Sequence, residues 1–345
     1  MPLFTGIQDL SAFILPEAAH INSAMRNFCD FLARKGKGMK KIILSALCAL
    51  LLPAALPVGA LAQELTLGGQ PLGIELQTEG LTVAGLAEVE TAEGRRSPAG
   101  EAGLREGDRI VSLGGRELAS AEDFIAAVGA LEGEEAQLGV RRGGESLTVS
   151  VRPARAADGR WMLGLWLRDQ SSGIGTLTFY DPASGVYGAL GHGVSDETGG
   201  EALPIRGGQI TDAQIVDLRP GSPGVPGELS GCADHGCVLG TIEKNTERGI
   251  YGAACAALGE GSAPVGSPQP GPASMLTTLE GRRVRAYEVE ISRVYTENGT
   301  RRMLLRVTDP LLRELTGGIV QGMSGSPILQ DGRLVGAVTH VSVST

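Results

Sequence analysis

The chain has 345 residues, of which 42% are hydrophobic and 20% charged, and its mean hydropathy is +0.06. This length is typical of about two domains, and the composition excludes both a disordered chain and a membrane protein with many spans. The net charge is -9 and no basic cluster follows Lys41, which excludes nucleic acid as an expected partner. The 52 glycines and the 4% aromatic content predict many tight turns between short strands.

The N-terminal part of the sequence has the layout of a targeting signal. A basic stretch at residues 34–41 precedes the apolar stretch Ile42–Ala62, which ends in Ala60-Leu61-Ala62. This order predicts a signal peptide or membrane anchor at residues 39–62, with cleavage after Ala62 favoured because two prolines interrupt the apolar stretch. Residues 1–38 lie upstream of this signal and are interpreted as an overextended start.

Residues 65–153 are predicted to form short strands around one helix. Leu81–Val89 is a predicted strand, and Ser120 is placed to cap a helix whose apolar side chains recur at helical spacing. Two further strands flank Gly143-Gly144, a pair suited to a tight hairpin turn.

Within this region, the segment Ser97–Ile110 resembles the central signature of a PDZ domain of the bacterial protease type. Pro71-Leu72-Gly73-Ile74 resembles the carboxylate-binding loop of such a domain. The resemblance implies that Leu72, Gly73 and Ile74 bind an extended peptide, whose strand adds to a sheet edge. From the spacing alone, a domain that serves as a rigid spacer remains an alternative.

The part of the chain after the predicted signal contains three cysteines, Cys232, Cys237 and Cys255. Cys232 and Cys237 flank His235, which suggests zinc, but a zinc site needs three or four ligands at suitable spacing. A disulfide within a loop, or free thiols, is therefore favoured over a metal site.

Residues 154–345 contain few helix signals and many short predicted strands, which favours a β-barrel or sandwich. Near the end of the chain Ser324 stands in Gly322-Met323-Ser324-Gly325, followed by a strand, a turn and a second strand. Small neighbours expose a serine oxygen, and the backbone N–H groups of Gly322 and Ser324 are placed to bind an oxyanion. Ser324 is the predicted nucleophile.

A nucleophilic serine needs a base and a group that orients the base. His192, between two glycines after an apolar strand, is favoured over His235 in the cysteine segment and over His340 within an apolar strand. Asp309, which follows a strand, is the first choice for the orienting carboxylate. Asp196 is the second choice, and Asp331 is interpreted as a turn residue.

The motifs of this second region closely resemble the stage IV sporulation protein B peptidase family. The resemblance is carried by Tyr187–Asp196, Thr308-Asp309-Pro310, Gly318–Pro327 and Gly336–Val341, and by the order of a PDZ domain before a peptidase domain. It implies a mostly β protein, with an N-terminal α+β PDZ domain and a chymotrypsin-like β-barrel serine peptidase domain. It also implies a catalytic triad of His192, Asp309 and Ser324, with Ser324 rather than Ser326 as nucleophile and with neither metal nor cofactor.

The family resemblance implies a role in sporulation signalling. Members are exported by the forespore into the intermembrane space, cleave themselves and a regulator of a membrane protease complex, and so permit processing of a late sigma factor. The PDZ domain is expected to bind that membrane-associated complex. A general quality-control protease and a noncatalytic PDZ scaffold are the alternatives. Relatives continue beyond the position of Thr345, so an open sheet edge beside the Ser324 hairpin is expected.

Overall fold

The computed structural model describes residues 4–8, 63–195, 202–222, 224–297 and 299–342. The predicted signal segment, residues 39–62, lies outside these residues. Within the described ranges, no helix is long and apolar enough to cross a membrane.

The described chain is built mainly from strands. In chain order the strands are β1 Phe4–Gln8, β2 Glu64–Leu67, β3 Pro71–Leu86, β4 Val89–Thr91, β5 Gly94–Arg96, β6 Arg109–Leu113, β7 Arg116–Glu117, β8 Ala136–Arg142, β9 Glu145–Val151, β10 Ala154–Arg155, β11 Trp161–Met162, β12 Leu165–Tyr180, β13 Val186–Ala189, β14 Ile205–Arg219, β15 Glu228–Ile242, β16 Lys244–Thr246, β17 Gly249–Ala253, β18 Ser262–Pro264, β19 Gly271–Thr278, β20 Val284–Glu297, β21 Thr300–Val307, β22 Pro327–Gln330 and β23 Arg333–Ser342. The helices are α1 Pro98–Glu101, α2 Ala121–Gly129 and α3 Pro310–Thr316.

The predicted cap, helix and hairpin of the first region are confirmed, whereas the predicted strand Leu81–Val89 covers the end of β3, a break at residues 87–88 and the first residue of β4. Ser120 caps α2, where its side chain accepts a hydrogen bond from the backbone N–H of Asp123, and α2 buries Phe124 and Val128. β8 and β9 form the predicted hairpin around Gly143 and Gly144, whose φ angles of 56° and 86° are in the left-handed region that favours glycine. These elements share one apolar core with the second half of β3 and with Leu163.

Two long strands, β3 and β12, run through both domains. They pair with each other antiparallel from Pro71–Thr176 at one end to Leu86–Leu165 at the other. The second half of β3 also pairs with β6 of the PDZ domain, and the first half pairs with β14 of the peptidase domain. Both strands therefore contribute to both sheets, and the boundary between residues 153 and 154 stays a prediction.

The second region contains two groups of strands with separate cores. β19 to β23 and β1 form a closed barrel around Met275, Ile291 and Leu305, in which β1 pairs with both β21 and β23. In the full chain the edge of β23 that is expected to be open pairs with β1, whereas a protein that begins at Gln63 lacks β1 and leaves this edge unpaired. The other group is part of a 13-stranded sheet that includes β3 and β12, and its core contains Leu72, Leu177 and Ile210.

The prediction that Leu72, Gly73 and Ile74 form a peptide-binding loop needs correction. These residues lie within β3, between β12 on one side and β14 on the other, so neither edge is open to a peptide strand. Leu72 is 0% exposed and Ile74 4% exposed. Gly73 is required for close packing, because a Cβ atom built on it would lie 2.6 Å from the Cβ of Ala233.

The cysteine segment is a strand and not a loop. Cys232 and Cys237 lie on β15, which pairs with β14, and Cys255 follows β17. All three are exposed free thiols. His235 binds the Glu75 carboxylate through its Nδ1 atom, and this hydrogen bond lowers the pKa of Glu75. Among the described residues no group of three potential metal ligands is found.

A buried ion pair connects the PDZ signature to the β8–β9 hairpin. Asp108 is 1% exposed, and it accepts hydrogen bonds of 2.6 Å from Nε and Nη2 of Arg142 and one of 2.9 Å from the backbone N–H of Arg105. Burial acts to raise the pKa of Asp108, but these hydrogen bonds outweigh it and hold the pKa below its ordinary value.

We expect Asp108→Asn to lower the free energy of unfolding by about 2 kcal/mol, because it weakens charge-assisted hydrogen bonds to a buried group. Since the folded-state pKa of Asp108 is depressed, its contribution is present above the unfolded pKa of about 3.9 and is lost as the pH falls through the folded value. Urea unfolding of both proteins at pH 7 and at pH 3 measures this difference. Asp158→Asn, which removes an exposed ion pair with Arg160, is the control and should change little. Equal stability of Asp108→Asn and wild type at pH 7 would contradict the assignment.

Candidate active site

Ser324 lies in a tight loop between α3 and β22. Gly322 and Gly325 in this loop have φ angles of 95° and 96°, which favour glycine. A Cβ atom on Gly325 would lie 2.2 Å from the carbonyl oxygen of Thr176 and 2.6 Å from the backbone nitrogen of Leu190. The loop therefore packs directly on β12 and on the turn that precedes His192.

Every backbone carbonyl from residue 321 to residue 325 accepts a hydrogen bond. Thr176 donates from its hydroxyl to Gly322 O at 3.0 Å and from its backbone N–H to Ser324 O at 3.2 Å. Thr178 Oγ1 donates to Gly325 O at 2.7 Å. Gln321 O and Met323 O accept from the N–H groups of Leu229 and Ser326. All five peptide planes are fixed by these bonds.

Within residues 321–325, two backbone N–H groups have no acceptor among the described residues. Gln321, Met323 and Gly325 donate to backbone carbonyls, whereas Gly322 N and Ser324 N have no hydrogen-bond acceptor among the described residues. Because the C=O and N–H of a trans peptide point in opposite directions, the bound carbonyls hold these two N–H groups on the free side. This is the arrangement that an oxyanion hole requires.

The two serines of the loop have different surroundings. Ser324 is half-buried and its Oγ donates to Thr339 O at 3.2 Å. Ser326 is 0% exposed and its Oγ donates to Thr277 Oγ1 at 2.9 Å. Only Ser324 is placed beside the two unoccupied N–H groups and within reach of solvent.

The turn before His192 packs against the Ser324 loop. Leu190 and Gly191 both have left-handed φ angles, 70° and 69°, which reverse the chain after β13. A Cβ atom on Gly191 would lie 2.6 Å from Val338 O, and Val338 is the neighbour of Thr339, the acceptor for Ser324 Oγ. The turn before His192, the predicted base, and the loop of Ser324, the predicted nucleophile, therefore both contact β23.

The His192 ring is held by a backbone carbonyl. Its Nδ1 atom lies 2.9 Å from Gly193 O, and since a carbonyl only accepts, Nδ1 carries the proton of this hydrogen bond. In the neutral imidazole Nε2 is then the unprotonated nitrogen, as a general base needs.

Asn245 supports the loop that follows His192, a role that sequence reasoning missed. Its Nδ2 donates to Val194 O at 2.8 Å and to Leu203 O at 2.9 Å, and its Oδ1 accepts from Val194 N at 2.9 Å. A single asparagine in a strand gives no signal for such a role, because the bonded residues are distant in sequence.

Asp309 occupies a helix-capping position. Its Oδ1 accepts from Leu312 N at 2.9 Å at the start of α3, and its Oδ2 accepts from Glu288 N at 3.3 Å. That Asp309 orients His192 stays a prediction. Asp196 lies outside the described residues, whereas Asp331 has a φ of 50° in the turn between β22 and β23. His340 lies on β23.

A second candidate site lies at the PDZ domain. Residues Leu165–Arg168 of β12 pair with β3 on one side, and no other strand of the described chain pairs with them. α2 runs beside the open edge, since Asp169 Oδ2 accepts from Ala121 N at 3.1 Å at its start. We call the space between Leu165–Arg168 and α2 the β12 groove.

The carbonyl groups of Leu163 and Gly164, just before β12, are both bound by backbone N–H groups. Leu163 O and Gly164 O accept from Ala99 N and Ala87 N at 2.9 and 3.0 Å. The N–H groups of Gly164 and Leu165 therefore point away from α1 and β3. Gly164 has a φ of 71°, and a Cβ atom on it would lie 2.3 Å from Ala87 O. The pattern Leu163-Gly164-Leu165 is the sequence signal that could have located this segment.

Comparison with known proteins agrees with both domains. The family model SpoIVB peptidase S55 matches residues 159–345, and a PDZ domain model matches residues 72–152. Serine protease HTRA1 of Xenopus tropicalis is 46% identical over 57 residues, which are 16% of this chain and only 12% of that relative's length. The PDZ domain of the SdrC-like protein from Listeria monocytogenes is 22% identical, with a TM-score of 0.22, over 26% of this chain and 90% of that one.

The predicted fold, a PDZ domain followed by half-barrel sheets as in chymotrypsin-like peptidases, is confirmed. Because the peptidase model matches more than half of the residues, the chain belongs to the SpoIVB peptidase S55 family and joins a serine peptidase domain to a PDZ domain.

Proposed function

We propose that this chain is an endopeptidase in which Ser324 is the nucleophile and His192 the general base. Ser324 Oγ exchanges Thr339 O for His192 Nε2 as its hydrogen-bond acceptor and attacks the carbonyl carbon of a substrate peptide, while its proton passes to Nε2. The negative oxygen that forms is bound by the N–H groups of Gly322 and Ser324.

The acyl-enzyme then forms and breaks in two balanced steps. The C–N bond breaks, and the leaving amine takes the proton from His192 Nε2. Water then attacks the acyl carbon, gives a proton to Nε2, and the returning proton restores the Ser324 hydroxyl. Gly193 O stabilises the charged imidazole through its hydrogen bond to Nδ1. Asp309 is proposed to add its negative charge to this stabilisation, as the family resemblance implies.

The observation that carries this proposal is the pair of free N–H groups. In a packed loop, backbone N–H groups without an acceptor are uncommon, and within residues 321–325 the two that lack one belong to Ser324 and to Gly322. A loop whose only role was to reverse the chain would not need hydrogen bonds that hold all five carbonyls of residues 321–325 away from these two N–H groups.

Ser324→Ala is expected to abolish hydrolysis and labelling by a fluorophosphonate probe, because it removes the proposed nucleophilic hydroxyl. Incubation of residues 63–345, followed by intact mass, detects self-cleavage, and gel fluorescence detects the label. Ser324→Ala should keep the wild-type melting temperature, which shows that it is folded. Labelling of a folded Ser324→Ala protein to the wild-type extent would contradict the proposal.

We further propose that the peptidase acts after export, as a signalling protease of sporulation that cleaves itself and a regulator of a membrane protease complex. The basic stretch and apolar segment at residues 34–62 support export, and the membership of the SpoIVB peptidase S55 family supports the signalling role. Narrow substrate choice is the property that distinguishes this function from general degradation of unfolded proteins.

The exported protein is expected to begin at Gln63, because Ala60 and Ala62 occupy the positions where signal peptidase requires small residues. N-terminal sequencing of protein recovered from outside the cytoplasmic membrane of an expressing cell measures this. Ala62→Tyr should block cleavage and keep the protein membrane-bound. Recovery of the exported protein with residues 1–38 still attached would contradict the prediction.

We also propose that the PDZ domain binds the free C terminus of a protein in the β12 groove. The ligand adds as a strand to Leu165–Arg168, antiparallel to β12, and its carboxylate accepts from the N–H groups of Gly164 and Leu165. Ile125 is 67% exposed and lies four residues after Ala121, on the same face of α2. Its side chain offers an apolar contact for the ligand's last residues.

Ile125→Glu is expected to weaken binding of a fluorescent hexapeptide that ends in valine by about tenfold, because it places a charge against the ligand's apolar side chains and carboxylate. Fluorescence anisotropy measures the affinity. The same peptide with an amidated C terminus should bind no more tightly than background. Ala126→Glu, at the next position of α2, which is also exposed, is the matched control. Equal affinity of the Ile125→Glu and Ala126→Glu variants would contradict this location of the groove.

A further inference from the structure

Two threonines of β12 contact the nucleophile loop with their side chains. Thr176 is 4% and Thr178 2% exposed, and they lie two residues apart, on the same face of the strand. Their hydroxyls donate to Gly322 O and Gly325 O, the carbonyls of the glycines on either side of Ser324. The backbone N–H of Thr176 donates in addition to Ser324 O.

These hydrogen bonds fix the peptide planes that surround the oxyanion donor of Ser324. Thr176 binds the plane between residues 322 and 323 and the plane between residues 324 and 325. The plane between them carries the N–H of Ser324. Because both neighbours are held, this N–H has little freedom to rotate away from the site.

The glycines make this restraint necessary. Gly322 and Gly325 have φ angles of 95° and 96°, and a glycine peptide has more accessible conformations than any other. If Gly322 O or Gly325 O lost its donor, the carbonyl would be left without a hydrogen bond. Its free-energy cost would favour a rotation of the peptide toward another donor. A carbonyl turned toward the oxyanion site would repel the negative oxygen that forms there.

We propose that Thr176 and Thr178 are positioning residues of the peptidase, which act on catalysis by holding the oxyanion loop through their hydroxyls. The inference rests on the proposed role of Ser324. It assigns the hydroxyls a function in the rate of acylation in addition to their contribution to packing.

The chain offers a matched control in Thr211. This threonine is 0% exposed on β14, and its hydroxyl has no hydrogen-bond partner among the described residues. Replacement of threonine by valine keeps the shape of the side chain and removes the hydroxyl. Thr211→Val therefore tests the effect of the substitution in a buried strand without the effect on the loop.

The test compares Thr176→Val, Thr178→Val and Thr211→Val in residues 63–345. We expect kcat to fall by about 10-fold to 100-fold for the first two, with KM nearly unchanged, and the rate of fluorophosphonate labelling of Ser324 to fall in parallel. Thr211→Val should keep the wild-type values. Thr176→Ser and Thr178→Ser, which keep the hydroxyl, should restore most of the rate.

All rates are divided by the fraction of folded protein, measured by circular dichroism, so that loss of folding is not counted as loss of positioning. If Thr176→Val does not fold, Thr176→Cys takes its place, because a thiol has similar size and is a weaker donor. Wild-type kcat in folded Thr176→Val or Thr176→Cys protein would overturn the proposal, as would equal loss in the serine variants. Absence of labelling in the wild type would instead overturn the role of Ser324 itself.

Discussion

The antiparallel pairing of β3 with β12 is the interaction on which both domains depend. At one end it contributes two strands to the PDZ sheet, and at the other end two strands to the peptidase sheet. The pairing leaves the edge of β12 open at Leu165–Arg168 and directs the side chains of Thr176 and Thr178 at the nucleophile loop. One strand therefore connects the proposed peptide groove to the residues that hold the proposed oxyanion donors.

The nucleophile loop is organised by the need to satisfy buried carbonyls. Donors come from three places, namely β12, the start of β15 and the loop itself. Once each carbonyl has its donor, the two N–H groups of Gly322 and Ser324 are left on the open side. The proposed oxyanion site thus follows from the hydrogen bonding of the loop, because the N–H groups of Gly322 and Ser324 are the ones left without an acceptor.

The sequence predicts those features of the fold and of the site that depend on residues close together in the chain. The serine between glycines, the Gly143-Gly144 hairpin and the Ser120 cap are local, and each is set by the backbone preferences of a few residues. The segment Leu72–Ile74 was misread because its apolar-Gly-apolar pattern occurs again at Leu163–Leu165. Only pairing with β14, distant in sequence, decides which copy lies at an open edge. The hydrogen bond from Glu288 N to the second carboxylate oxygen of Asp309 likewise joins residues that are distant in sequence.

The insertion of the PDZ domain between β3 and β12 has a consequence for the order of folding. Gln77 and Gln170 are partners in the peptidase sheet, although the whole PDZ domain separates them in sequence. To join such distant segments in an unfolded chain costs loop-closure entropy. A folded PDZ domain removes most of this cost, because its own core already brings Leu81 and Leu167 together. The part of the β3–β12 pairing that lies in the other sheet then extends an existing hairpin, so a contact that is remote in sequence becomes local once the PDZ domain has folded.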